Sequence, residues 1–414
     1  MTRTMTTRTI GKCFILFCMV LCLTGCASKN LLMPDDTSNV AEQSLNSGDS
    51  TEAEDAESID DNGNQTRSIY SWHFEMTNKA LNETYLQTLR QLGINRVYQN
   101  VSEKVMRDDE IVYLIQKLNS NGIEMIPLMG DKSWVEDGLD EYIGIIDEID
   151  KYNESADEGM KINAVALDVE VHLLPDFKSH KKKLFKKYIE VMCEAKSYAH
   201  EKNLKVIQVI PTFYDDINEK LFSTFVSDCC DEISIMNYTK SAQESAISTE
   251  VEYCLKNNIP VESVFETMRD SEQYEVDENT SYYRDGTESL LKSADRLRDI
   301  YGNRLGIGFH QFTSIHSMVS GKNPAEIVCT PLSDDQMTNP GMLLLIGDDG
   351  AIFEATPYWH KGRKSEEGFR YLTNIDDADR TYTVYYSTLQ DRVKLCDDAK
   401  FITEGNSIYV MNIE

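Results

Sequence analysis

The chain has 414 residues, of which 70 are Asp or Glu and 41 are Lys or Arg, giving a formal charge of −29. So acidic a balance argues against nucleic acid as a partner, because that binding rests on Lys and Arg neutralising phosphate, and against a polybasic grip on anionic lipid. The hydrophobic fraction of 41% still supplies a large core and rules out disorder over the whole length.

Arg3, Arg8 and Lys12 precede the apolar run Cys13 to Leu23. That run is roughly eleven residues, too short to span a bilayer and right for the apolar region of a signal peptide. It ends in Leu23-Thr24-Gly25-Cys26, which resembles the lipobox of bacterial lipoproteins. The resemblance implies that residues 1–25 are a removed leader and that Cys26 carries lipid. The mature protein would then be anchored to a membrane outside the cytoplasm. Residues 26–67 follow as an acidic tether; over 27–67 ten acids face two bases, with almost no aromatics to build a core. Of the ten cysteines, four lie in the leader and lipobox. The other six are scattered without metal-ligand spacing and read as small buried hydrophobes, although export permits disulfides. No metal and no cofactor are expected.

From residue 68 strand-like and helix-like patterns alternate. The strands are expected at 68–74, 96–101, 124–130, 162–170, 205–212, 232–238, 261–268 and 304–312. Between them apolar residues recur at helical spacing, as in Leu86, Leu89 and Leu92, or Ile111, Leu114, Ile115 and Leu118. Several helices end on Gly or Asn: Gly93, Asn121-Gly122, Asn203, Asn257-Asn258 and Gly302-Asn303. Eight such units predict an α/β fold closed as a (β/α)8 barrel over 68–338, with an open doubly wound sheet as the alternative. The stretch 313–338 reads as a connector or a degenerate last helix. Residues 339–414 read as a small β-rich domain.

Barrel enzymes work at the C-terminal ends of their strands. The fourth strand ends in Asp168-Val169-Glu170, whose alternation puts both acids on one face. Mutual repulsion and desolvation should raise the pKa of one of them toward neutrality. The seventh strand ends with Glu266, at a comparable height. Two carboxyl groups flanking one bond are what glycoside hydrolysis needs, with Glu170 as acid/base, Glu266 as nucleophile or second carboxylate, and Asp168 tuning Glu170. Trp72, Trp134, Tyr214 and Tyr238 offer faces for sugar rings, and His73, Asn100, Gln208, Asn237 and His310 offer polar partners for hydroxyls.

Asp-x-Glu on the fourth strand, with Met236-Asn237-Tyr238 ending the sixth, resembles the chitinase-type glycoside hydrolases. The resemblance implies Glu170 as general acid, Asp168 assisting it, and Tyr238 contacting an N-acetyl group that acts as nucleophile. The sequence departs from that pattern in three places. Ala164 and Ala166 stand where further acids are expected, the eighth strand carries Phe309-His310-Gln311-Phe312 in place of a Trp, and Glu266 lies outside that catalytic set. The expected partner is a glycan, cleaved by carboxylate chemistry. The alternative is a barrel that binds carbohydrate without cleaving it. A metal hydrolase lacks a His-x-His pair on the first strand, and a serine hydrolase lacks a G-x-S-x-G turn.

Overall fold

A computed structural model of the chain describes residues 65–72, 76, 82–269, 276–320, 325–329, 342–350, 352–358, 369–373, 380–387, 392–399, 402–404 and 408–411. The leader, Cys26, the tether up to residue 64 and His73 lie outside the described residues; the tether's expected last residue, Arg67, opens the first strand.

Eight strands close into a parallel barrel in sequence order: β1 (Arg67–Ser71), β2 (Arg96–Asn100), β3 (Glu124–Met129), β4 (Ala164–Leu167), β5 (Lys205–Pro211), β6 (Glu232–Met236), β7 (Val261–Glu266) and β8 (Leu305–His310). Each falls within its predicted segment, except that β1 begins one residue early, at Arg67. The helices between them pack on the outer face of the barrel through residues such as Ile69, Val97, Val165, Leu167, Ile233, Phe265 and Phe309. Helix starts carry side-chain caps. Asp108 accepts from the Glu110 N–H ahead of the helix Asp109–Asn119, and Asn218 accepts from the Leu221 N–H ahead of the helix Glu219–Cys229. The predicted stops work as expected: Asn203 (φ 60°) and Asn258 (φ 55°) take the left-handed conformation that ends a helix, which Asn tolerates better than other side-chain-bearing residues.

The inner face is polar well below the mouth. Arg96 on β2 pairs with Glu124 at 3.1 Å and with Glu232. Above that pair, Glu262 on β7 accepts from Ser68 Oγ at 2.8 Å and from Ser234 Oγ at 2.7 Å. Ser234 directs its only O–H at Glu262, so the 2.6 Å contact between its oxygen and Tyr70 is a hydrogen bond donated by the Tyr70 hydroxyl. A buried carboxylate is tolerated where donors satisfy it, and here they form a floor across the barrel.

A second sheet has eight strands: β9 (Ala325–Cys329), β10 (Met342–Gly347), β11 (Ile352–Tyr358), β12 (Phe369–Thr373), β13 (Tyr382–Ser387), β14 (Arg392–Ala399), β15 (Ile402–Glu404) and β16 (Ile408–Met411). All pairs in it are antiparallel except β16 with β9. The stretch read as a connector is therefore divided. The helix Phe312–Ser320 packs on the barrel, and β9 belongs to the second sheet, which begins earlier in the chain than residue 339. Among the cysteines, Cys193 and Cys229 form a disulfide between the helix Phe177–Glu201 and the helix Glu219–Cys229, where scattered buried thiols were expected. No helix of the described residues is long and apolar enough to cross a membrane.

Candidate active site

Side chains that alternate into the barrel meet at the C-terminal ends of the strands. On β4 the order is Ala164 and Ala166 inward, with Val165, Leu167 and Val169 outward against the helices. Regular strand stops at Leu167, but the Asp168 N–H still donates to the Met129 carbonyl at 2.8 Å, so Asp168 keeps the strand's alternation. Gly130 makes this possible: a Cβ there would collide with the Asp168 carbonyl. Asp168 is buried, and its Oδ1 has no hydrogen-bond partner among the described residues. Burial pushes its carboxyl up from 3.8 to about 7, partly offset by His310.

Glu170 opens the turn Val171–Leu173, and its side chain is 13% exposed. Burial, and then the negative charge of Asp168, hold its carboxyl well above the usual range, against a smaller pull from the Lys132 ammonium. His172 Nε2 lies 3.5 Å from Glu170 Oε1. Burial, and then the positive charge of Lys132, push the imidazole down to about 4, so it is uncharged at neutral pH. Burial thus pushes both carboxyls of the Asp168–Glu170 pair toward the protonated form.

Across the mouth, Glu266 ends β7 and is 2% exposed. Its Oε1 accepts from the Met268 N–H at 2.7 Å, and His310 Nδ1 lies 3.1 Å from each carboxylate oxygen. The Trp72 indole N–H donates to His310 Nε2 at 2.7 Å. An indole N–H can only donate, so Nε2 is the acceptor and Nδ1 carries the proton that goes to Glu266. A cis peptide joins His310 to Gln311. Tyr238 lies with its ring centroid 5.7 Å from that of His310. Its hydroxyl is held well above the usual range by burial first, then by Glu266, Tyr70, Asp168 and Glu170, so it sits within the field of all three site carboxylates.

The residues named from sequence divide into two groups. Asp168, Glu170, Tyr238, Glu266, His310 and the partly exposed Trp72 converge on the mouth. Asn100 ends β2 on the same inward alternation as Arg96 and Tyr98 and is buried there. Four others do not converge. Trp134 is packed in the core beside Tyr142 and donates to Glu141 at 3.0 Å. Gln208 alternates outward on β5 and donates to the Cys229 carbonyl at 3.3 Å. Asn237 points away from Met236 and Tyr238; it donates to the Gln243 carbonyl at 2.9 Å and to Ser263 Oγ at 3.1 Å. Tyr214 is fully buried against Phe185 and Tyr188, and its hydroxyl lies 3.3 Å from His172 Nδ1. It clamps the Glu170 turn from behind and offers no face to a ligand. Sequence reasoning missed Gly130, Lys132 and His172 as parts of the site. Only Gly130 left a usable signal, as a glycine closing an apolar strand. Among the described residues no group of three His, Cys, Asp or Glu side chains is placed to hold a metal ion.

No family model matches the chain, and no curated protein matches it. Solved structures align with it at low identity. A chitinase from Chromobacterium violaceum aligns over 62% of this chain and 98% of its own at 12% identity and a TM-score of 0.39. A GH18 chitinase from Pseudoalteromonas aurantia aligns over 59% and 93% at 9% identity and a TM-score of 0.41. A D-psicose 3-epimerase from Clostridium cellulolyticum aligns over 62% and 89% at 8% identity and a TM-score of 0.38. Function is argued from the site itself.

Proposed function

We propose that this protein is a membrane-anchored glycoside hydrolase in which Glu170 donates the proton to the departing sugar oxygen. The observation that carries the reading is the buried Asp168–Glu170 pair. A general acid must hold its proton near neutrality and must face the bond it cleaves. Burial and the neighbouring Asp168 keep that proton on Glu170, while its 13% exposure leaves it reachable from the mouth. Asp168 takes up negative charge as the pH passes about 7 and so tunes and orients its neighbour. Glu266 lies at the same mouth, bonded to the Met268 N–H and to His310, and Trp72 and Tyr238 supply apolar ring faces for a glycan.

Anchoring through lipid on Cys26 follows from the lipobox-like Leu23-Thr24-Gly25-Cys26. The Cys193–Cys229 disulfide supports the same placement, since structural disulfides persist in oxidising compartments. The test is hydrolysis of a panel of oligosaccharides and aryl glycosides by the wild type and by Glu170→Gln. The variant is expected to keep the fold and lose turnover by a factor on the order of 10²–10⁴, the range for a positioned acid. Wild-type turnover in Glu170→Gln overturns the assignment. A second reading, carbohydrate capture without cleavage, is favoured by Ala164 and Ala166, which leave β4 with fewer acids than the chitinase-type pattern implies. Glycan binding by the wild type with no product on long incubation would establish it.

A further inference from the structure

Glu266 is the buried acid whose surroundings fit a nucleophile least well. Both of its oxygens are engaged, by the Met268 N–H and by His310, and the carboxyl is 2% exposed. A sugar carbon approaching either oxygen would have to displace the His310 ring. The hydrogen bonds run in one direction: Trp72 N–H to His310 Nε2, then His310 Nδ1–H to Glu266. Barrel register accounts for the alignment. β7, β8 and β1 are neighbours, Glu266 is the direct partner of His310, and His310 is the direct partner of Tyr70, one inward step below Trp72.

We infer that Glu266, His310 and Trp72 form a positioning relay, in which the carboxylate fixes the imidazole tautomer and the imidazole fixes the indole as a rigid platform for a sugar ring. The inference rests on the glycosidase reading for its ligand and assigns Glu266 to holding substrate, through two other side chains, and not to bonding with it. An indole that can rotate loses entropy when a sugar stacks on it; one already held by its only polar atom does not. A carboxylate suits the far end of the relay because, ionised, it only accepts, which leaves the imidazole proton one place to go. Tyr238, two residues beyond β6, packs beside the His310 ring with centroids 5.7 Å apart.

The experiment uses the full chain. Its three tryptophans give three indole N–H resonances, and loss of one in Trp72→Phe assigns the relay signal. His310→Phe keeps ring volume and removes both nitrogens. It is expected to move the Trp72 resonance and to weaken oligosaccharide binding about tenfold, the equivalent of roughly 1.4 kcal/mol of stacking. Glu266→Gln keeps an acceptor oxygen for His310. It is expected to hold the Trp72 resonance in place and to raise KM more than it lowers kcat, whereas Glu266→Ala moves the resonance as His310→Phe does. Two results overturn the relay: a Trp72 resonance indifferent to His310→Phe, or a loss of kcat on the order of 10⁴ in Glu266→Gln with that resonance unmoved, as expected for a group that acts on substrate itself. If the wild type neither binds nor cleaves any glycan, the glycosidase reading and the platform's ligand fall together, while the resonances still report whether the three side chains are linked.

Discussion

Replacing Asp168 by Asn should make the protein more stable and a worse catalyst, by amounts that depend on pH. The native carboxyl holds its proton up to about 7, while an unfolded Asp releases it near 3.8. Between those values the native state binds more protons than the unfolded chain, so wild-type stability falls as pH rises through the window and levels off above it. At about 1.36 kcal/mol per pH unit, the cost of keeping Asp168 in place is about 2 kcal/mol at about pH 5 and about 4 kcal/mol at about pH 8. Asn is nearly isosteric and bears no charge, so Asp168→Asn avoids this cost. Urea unfolding at the two pH values should show a stabilisation that grows by about 2–3 kcal/mol from the lower to the higher. Groups far from Asp168 titrate alike in both proteins and cancel. Glu170 does not cancel: relieved of its neighbour's charge, it releases its proton at lower pH. The alkaline limb of kcat/KM should move the same way, because the general acid is lost earlier. A difference in stability that is flat across this range would refute the buried-pair argument, and with it the reason for placing the proton on Glu170.

Gly130→Ala is expected to cost about 1–3 kcal/mol and to lower kcat, because the added methyl drives the Asp168 backbone out of place. Unchanged stability and rate would mean that β4 does not pass so close. Cys193→Ser opens a crosslink between residues 36 apart, for which chain entropy gives about 3–4 kcal/mol; urea unfolding of the oxidised wild type and the variant measures it. Gln208→Leu should leave KM where it is and change stability by no more than about 1 kcal/mol, since among the described residues the amide bonds only the Cys229 carbonyl and leaves its own Oε1 unpaired. A raised KM would return Gln208 to the mouth.

The eight strands were legible because each apolar run is bounded by helix stops with a physical reason to be there, such as Asn203 and Asn258. Which side chains face inward was legible only where charge marks the alternation. On β4 the acids Asp168 and Glu170 declare one face, and both point to the mouth. On β5 every position near Gln208 is apolar, because a parallel strand is buried on both faces, and nothing in the sequence says that Gln208 faces outward. Asn237 was misplaced although its neighbour Tyr238 was placed well: adjacent residues cannot both face the mouth, so accepting Tyr238 already excluded it. Tyr214 and Trp134 followed strands closely enough to suggest the rim, but large rings in those turns fill the gap between strand ends and helices. The Cys193–Cys229 pair is a contact between two helices well apart in sequence, and spacing alone could not show it. β9 was hidden because its partner strands β12 and β16 lie far downstream.

The relation between floor and mouth follows from the eighth strand. Its inward positions run Gly306, Gly308, His310. Added methyls at the two glycines would meet Glu262 and Ser68, so these positions are left empty for side chains that cross from β7 and β1. The floor network of Ser68, Glu262, Ser234 and Tyr70 occupies that space. His310 is therefore the first inward side chain β8 can present, and it emerges level with its register partner Glu266 at the mouth. Filling the barrel with aliphatic side chains from β8 would gain hydrophobic burial and would displace Glu262 and Ser68 from the space below the ring. The polar interior thus costs desolvation of a carboxylate and in return leaves room for the groups that set the height of the imidazole. On this argument the glycines of β8 belong to the site as much as the histidine above them does.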